Sequence, residues 1–127
     1  MFQFFKNDVK KVGQECNKLT QPGFKRNCFN ALARQLYLII DGKSEKVFQL
    51  CALMPAGWTN YCVGISALTY LGVGDTELPF DVCGKIEEAG KEECYRELID
   101  PIKKFFQNTD LCNKIKDEIW RNRCKNG

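Results

Sequence analysis

Eight cysteines, at positions 16, 28, 51, 62, 83, 94, 112 and 124, are spaced regularly enough to organise the whole chain. Taken as successive pairs, they lie 12, 11, 11 and 12 residues apart, and the gaps between pairs are 23, 21 and 18. First cysteines recur after 35, 32 and 29 residues, second cysteines after 34, 32 and 30. A period near 32 in a chain of 127 residues predicts four tandem units.

Aligning the units strengthens the repeat. Each opens on a cysteine with an aliphatic residue three positions later: Cys16 and Leu19, Cys51 and Met54, Cys83 and Ile86, Cys112 and Ile115. A breaker follows: Pro22-Gly23, Pro55-Ala56-Gly57, Ala89-Gly90 and Asp117-Glu118. The second cysteine closes the unit, and in the first three an apolar or aromatic residue comes next: Phe29, Val63, Tyr95. The fourth stops three residues past Cys124, too soon for a full second helix. The expected boundaries are about 1–42, 43–74, 75–108 and 109–127, within a single domain covering 1–127.

The flanks carry helical periodicity. Phe5, Val9, Val12 and Cys16 share one face, as do Cys28, Leu32, Leu36 and Ile39, and Leu98, Ile102, Phe105 and Phe106. Ser44, Thr76-Glu77 and Asn108-Thr109-Asp110 read as helix starts. Asp41-Gly42 and Gly72-Val73-Gly74 read as stops. Pro101 predicts a kink or break. Each unit is thus a helix, a turn at the breaker, and a second helix. Paired cysteines then face each other across the bend. Many pairings are possible for eight cysteines, and the repeat favours 16–28, 51–62, 83–94 and 112–124.

Charge follows the same units. Residues 1–50 carry nine basic and four acidic side chains, and 51–74 carry none. Residues 75–100 carry nine acidic and three basic, and 101–127 seven basic and three acidic. The acidic third unit, with Glu87, Glu88, Glu92 and Glu93 beside its turn, reads as a solvated face or as a patch for a basic partner. The net +3 is too mild to imply nucleic acid. The uncharged second unit is the expected buried centre, with Gly64, Ser66 and Ala67 allowing close helix approach.

An even cysteine count points to disulfides and an oxidising compartment, hence a secreted or cell-surface protein. No signal peptide is legible, since Met1-Phe2-Gln3-Phe4-Phe5 runs at once into Lys6, Asp8, Lys10 and Lys11. Either a leader has been removed or export takes another route. No transmembrane span is expected, because Pro55-Ala56-Gly57 and Trp58-Thr59-Asn60 interrupt the uncharged stretch.

Little catalytic chemistry is available. The chain has no histidine, which removes Ser-His-Asp and Cys-His catalysis and every His-containing zinc site. No Cys-x2-Cys clusters thiolates for a metal, and no glycine-rich phosphate loop occurs. Eight cysteines in four pairs leave no reactive thiol. A non-enzymatic protein without cofactor or metal is expected. The remaining candidates are aromatic. Phe2, Phe4, Phe5, Phe105, Phe106 and the run Leu36-Tyr37-Leu38-Ile39-Ile40 read as core between helices. Trp58, Tyr61 and Trp120 lie beside turns, either packed over a disulfide or exposed as contact residues.

Helix-turn-helix units of this length resemble tetratricopeptide-like α-solenoids, although the Trp…Leu-Gly…Tyr…Ala pattern of that family is not present. With paired cysteines recurring at the period, residues 16–124 resemble exported disulfide-stapled helical-hairpin repeat proteins. Twin Cys-x9-Cys hairpin proteins are a second resemblance, but their intervening helix is continuous and their spacing is nine. The first resemblance implies an all-α fold of four stapled helix-turn-helix repeats wound as a right-handed α-solenoid. It also implies a surface that binds another protein or further copies of itself. Alternatives are a carrier holding an apolar ligand between helices, in a cavity lined by Leu36, Ile39, Leu68 and Phe105, and a secreted effector or toxin.

Overall fold

Each cysteine pair joins two consecutive helical elements. The protein is described from a computed structural model covering residues 6–106 and 109–126. Helices α1 (Lys6–Asn17) and α2 (Pro22–Gln35) are joined by Cys16–Cys28, and the short α3 (Tyr37–Ile40) follows. Cys51–Cys62 joins α4 (Ser44–Cys51) to α5 (Thr59–Gly72), and Cys83–Cys94 joins α6 (Leu78–Lys85) to α7 (Glu88–Pro101). Cys112–Cys124 ties a 3-10 helix (Thr109–Lys114) to α8 (Glu118–Asn126). All these elements are helical, with no strand among the described residues. The bridged Cα atoms are 5.5–5.6 Å apart, the ordinary disulfide span. No helix among the described residues is long and apolar enough to cross a membrane.

Two expected turns lie elsewhere. Pro22-Gly23 begins α2 instead of preceding it, because proline's fixed φ and missing N–H suit the first helical position. The chain bends just before, through extended backbone at Gln21. Ala89-Gly90 lies inside the first turn of α7, and the bend is made by extended backbone at Ile86 and Glu87. Gly90 leaves room for close packing: a Cβ there would lie 2.7 Å from both Asn60 Cγ and Ile86 Cδ1, so those side chains would have to shift. Pro55-Ala56-Gly57 does form a link, with Gly57 at φ +91°.

Helix ends follow local chemistry. Asp75 Oδ1 accepts from the backbone N–H groups of Glu77 and Leu78 at 2.8 and 3.0 Å, capping α6. Asp117 Oδ1 does the same for Ile119 and Trp120 at the start of α8. At Pro101 α7 ends in a π-helical turn (Ile102–Phe106), which removes proline from a regular ladder it cannot join. Asp41 and Gly42, both at positive φ, stop α3. Tyr70 fastens that corner, donating its hydroxyl to Tyr37 O and accepting from Gly42 N–H, each at 2.9 Å.

The core runs through the centre of the chain. Uncharged α5 packs on α2, α4, α6 and α7, and Tyr61 to Ala67 are buried without interruption. A Cβ on Gly64 would sit 3.7 Å from Cys94 Cα, so α5 and α7 nearly touch. Leu36 and Ile40 are fully buried, but Leu38 is 66% exposed, against its expected core role. It stands on a four-residue helix with too few turns to bury both faces. The core roles expected of Phe2, Phe4, Phe5, Phe105 and Phe106 fall on side chains outside the described residues.

Candidate functional site

Two aromatic stacks set the geometry of the exposed surface. In the first, Trp58 at the entrance to α5 stacks on Phe29 of α2, ring centroids 4.2 Å apart and planes 16° from parallel. In the second, Trp120 on α8 stacks on Tyr95 of α7 at 5.6 Å and 23°. The sequence positions correspond. Both tryptophans stand four residues before the second cysteine of their pair, and both base rings directly follow the second cysteine of the preceding pair. Burying an aromatic face in such an offset stack contributes about 0.5–1.5 kcal/mol beyond its area.

Neither tryptophan is a free loop tip, and Tyr61 is only 6% exposed. Tyr61 meets Trp58 edge to face at 5.4 Å and accepts a hydrogen bond from Asn30 Nδ2 at 3.1 Å. The Arg26 guanidinium covers its ring at 4.9 Å. Trp120 is covered in the same way by Arg123 at 4.6 Å. These rings join neighbouring helix pairs, so Tyr61 is structural, while Trp58 and Trp120 each keep a half-buried edge at the surface.

The same sequence position in the other two pairs is occupied differently. In the third it is Gly90, which allows the close contact with Asn60. In the first it is Phe24, 62% exposed. Phe24 could have been singled out from the alignment, since it stands where the two tryptophans stand. Tyr95 and Phe29 carried only the weaker signal of following a cysteine.

The four glutamates do not form one site. Glu87 accepts from Asn60 Nδ2 at 3.0 Å across the helix pairs. Glu88 pairs with Lys91 at 3.5 Å, and Glu92 pairs with Arg96 one turn on. Glu93 is half-buried and faces Glu97. Burial, then the Glu93 charge, pushes the Glu97 carboxyl above the ordinary glutamate range. Its proton is held more tightly in the folded state, so its stabilising contribution is complete at low pH and is lost as pH rises through the raised pKa. Glu97→Gln is therefore expected to raise the melting temperature near pH 7 and to change it little near pH 3, where both side chains are neutral. Calorimetry at the two pH values checks this.

Three open clefts are lined by apolar, polar and charged groups together. A cleft of about 600 Å³ between α7 and α8 is bordered by Arg96, Lys103, Arg123, Asp100 and the edge of Trp120. A second, of about 470 Å³, lies between α6, α7 and the 114–117 segment, with Tyr95 in its wall. The third, of about 590 Å³, separates α1 from the end of α4. None of the three involves Leu36, Ile39 or Leu68, the lining expected for an apolar carrier. Among the described residues no cysteine is free, and no group of three or more potential metal ligands comes together.

Comparison with protein-family models, with curated proteins and with solved structures finds no match for this chain.

Proposed function

We propose that this protein is a secreted, non-enzymatic binding module, a short α-solenoid of four disulfide-stapled hairpins that recognises another protein through the exposed face of α2. The single observation that carries this reading is Phe24. The chain builds the same ring-on-ring contact twice, at Phe29–Trp58 and Tyr95–Trp120, and Phe24 holds the corresponding position with its ring 62% exposed. Exposed Leu19 and the basic residues Lys18, Lys25 and Arg26 lie within six residues of it in the sequence. The partner that fits is an acidic helical segment presenting an aromatic or aliphatic side chain.

Charge disfavours head-to-tail stacking of copies. Residues 1–50 carry +5 and residues 101–127 carry +4. At the end of the chain Lys125, not an aromatic residue, follows the last cysteine. Four disulfides suit an oxidising, extracellular setting. Leu36, Ile39 and Leu68, the lining expected of an apolar carrier, border none of the three clefts, which gives that reading no support.

A photo-crosslinking phenylalanine analogue at position 24, with one at exposed Leu38 as control, tests the reading in the extracellular fluid of the source. Saturable capture of one acidic protein at position 24 alone is expected, competed by the unmodified protein and not by Phe24→Ser. Equal capture at both positions, or competition by Phe24→Ser, overturns it. The Phe24→Ser variant is expected to melt within about 1 °C of the parent, since an exposed side chain contributes little to folding.

A further inference from the structure

The cleft between α7 and α8 combines apolar side chains with cations left over from its ion pairs. Buried Ile99 and half-buried Trp120 supply the apolar lining. Arg96, Lys103 and Arg123 line it beside one carboxylate, Asp100. Ion pairing does not cancel the excess. Asp100 is held by Lys104 at 3.3 Å, and Arg96 by Glu92. With those two partners included, Arg96, Lys103, Lys104 and Arg123 stand against Asp100 and Glu92, four cations against two carboxylates. Lys103 and Arg123 make no ion pair with a described residue.

The fold holds these groups in place. After Pro101 the chain leaves the regular α-helical ladder, and the π-helical turn that follows carries Lys103 beside the cleft. Arg123 lies over the Trp120 ring at 4.6 Å and directly precedes Cys124, which is buried and bonded to Cys112. Trp120 is fixed in turn by its stack on Tyr95. An aromatic ring carries partial positive charge at its edge, so the surface edge of Trp120 adds to the attraction for an anion. The volume, about 600 Å³, lies within the range of small-molecule sites.

From this arrangement we infer a binding site for a small organic anion, its carboxylate, sulfate or phosphate group held by Lys103 and Arg123 and its apolar body resting against Ile99 and Trp120. Ammonium and guanidinium donors make charge-assisted hydrogen bonds to an oxyanion, stronger than those between neutral groups. A bare inorganic ion would leave Ile99 and Trp120 uncovered, and a neutral ring would leave Lys103 and Arg123 without an anion. The site shares no residue with the Phe24 surface and stands whether or not that reading holds.

Titration of the intact, oxidised protein with naphthoate, naphthalenesulfonate and naphthyl phosphate at fixed ionic strength, followed by NMR, tests it. Naphthol and inorganic phosphate serve as comparisons. Saturable shifts centred on the amides of Ile99, Lys103 and Arg123 and on the Trp120 indole N–H are expected, and the order of the three anions identifies the preferred head group. Naphthol and inorganic phosphate should each bind about tenfold more weakly, or worse. Lys103→Gln breaks no ion pair and is expected to weaken binding about threefold. Combining it with Arg123→Gln should weaken binding about tenfold. Asp100→Asn removes the carboxylate from the lining and should tighten binding about threefold. A gain in affinity cannot come from a damaged fold, so this variant separates binding from stability. Lys43→Gln, exposed at the start of α4, should change nothing. Naphthol binding as tightly as naphthoate, inorganic phosphate as tightly as naphthyl phosphate, no gain in Asp100→Asn, or shifts that never saturate would each overturn the proposal.

Discussion

Replacing Cys51 and Cys62 together by alanine is expected to lower the free energy of unfolding by about 3 kcal/mol, the chain-entropy value for closing a loop of about a dozen residues. Both sulfurs lie in the core, at 0% and 2% exposure, so lost packing adds to the constraint lost from the unfolded chain. All four bridges close loops of 11 or 12 residues, so loop closure alone would make the four paired deletions equal. The difference among them reports packing. Cys28 is half-buried, whereas Cys51, Cys62, Cys83 and Cys94 are all buried in the core, so the 16–28 deletion is expected to be milder than the 51–62 and 83–94 deletions. Complete reduction removes all four constraints, a loss comparable to the whole net stability of a small domain. Guanidinium unfolding of the four paired variants, and of the reduced protein, checks both expectations. A reduced protein that still unfolds cooperatively at the parent midpoint would show that the helices hold themselves.

Trp120→Ala is expected to cost about 2–3 kcal/mol, less than a fully buried tryptophan because its edge is at the surface. The loss should be local. The described C-terminal elements are the 3-10 helix and α8, held to the rest by the stack on Tyr95, the Lys114–Glu77 pair and buried Ile115. That ion pair is exposed and contributes little. Without the tryptophan, amide hydrogen exchange over 109–126 should quicken while the amides of α5 keep their protection. Trp120→Phe, which keeps a ring on Tyr95, should recover most of the loss. Quickening spread evenly over α5 and α7 would instead place Trp120 in the global core.

Much of this architecture is legible in the sequence because two strong signals coincide. The cysteine spacing marks where consecutive helices must face each other, and the charge-free stretch marks the buried helix, α5. Proline and glycine mislead at the turns. Pro22 and Gly90 read as breakers, but one is compatible with a helix start and the other answers a packing demand from Asn60, which no local pattern contains. The same limit applies to the surface. Trp58, Tyr61 and Trp120 stand out by residue type, yet their bases, Phe29 and Tyr95, belong to a neighbouring helix pair. The approach of the Tyr95 hydroxyl to α6, 3.6 Å from where a Cβ on Gly84 would lie, is likewise visible only once the helices are packed.

Each of the four bridges joins two consecutive cysteines, with no cysteine lying between its partners, and that arrangement governs how the protein can be made. A chain entering an oxidising compartment with its N-terminus first presents Cys16 and Cys28 before Cys51 arrives. Vectorial oxidation then yields the native pairing in order of emergence, with no scrambled intermediate to reshuffle. Each closed loop is short and forms faster than a contact between distant segments. Production in a host periplasm should accordingly depend on a thiol oxidant and only weakly on a disulfide isomerase.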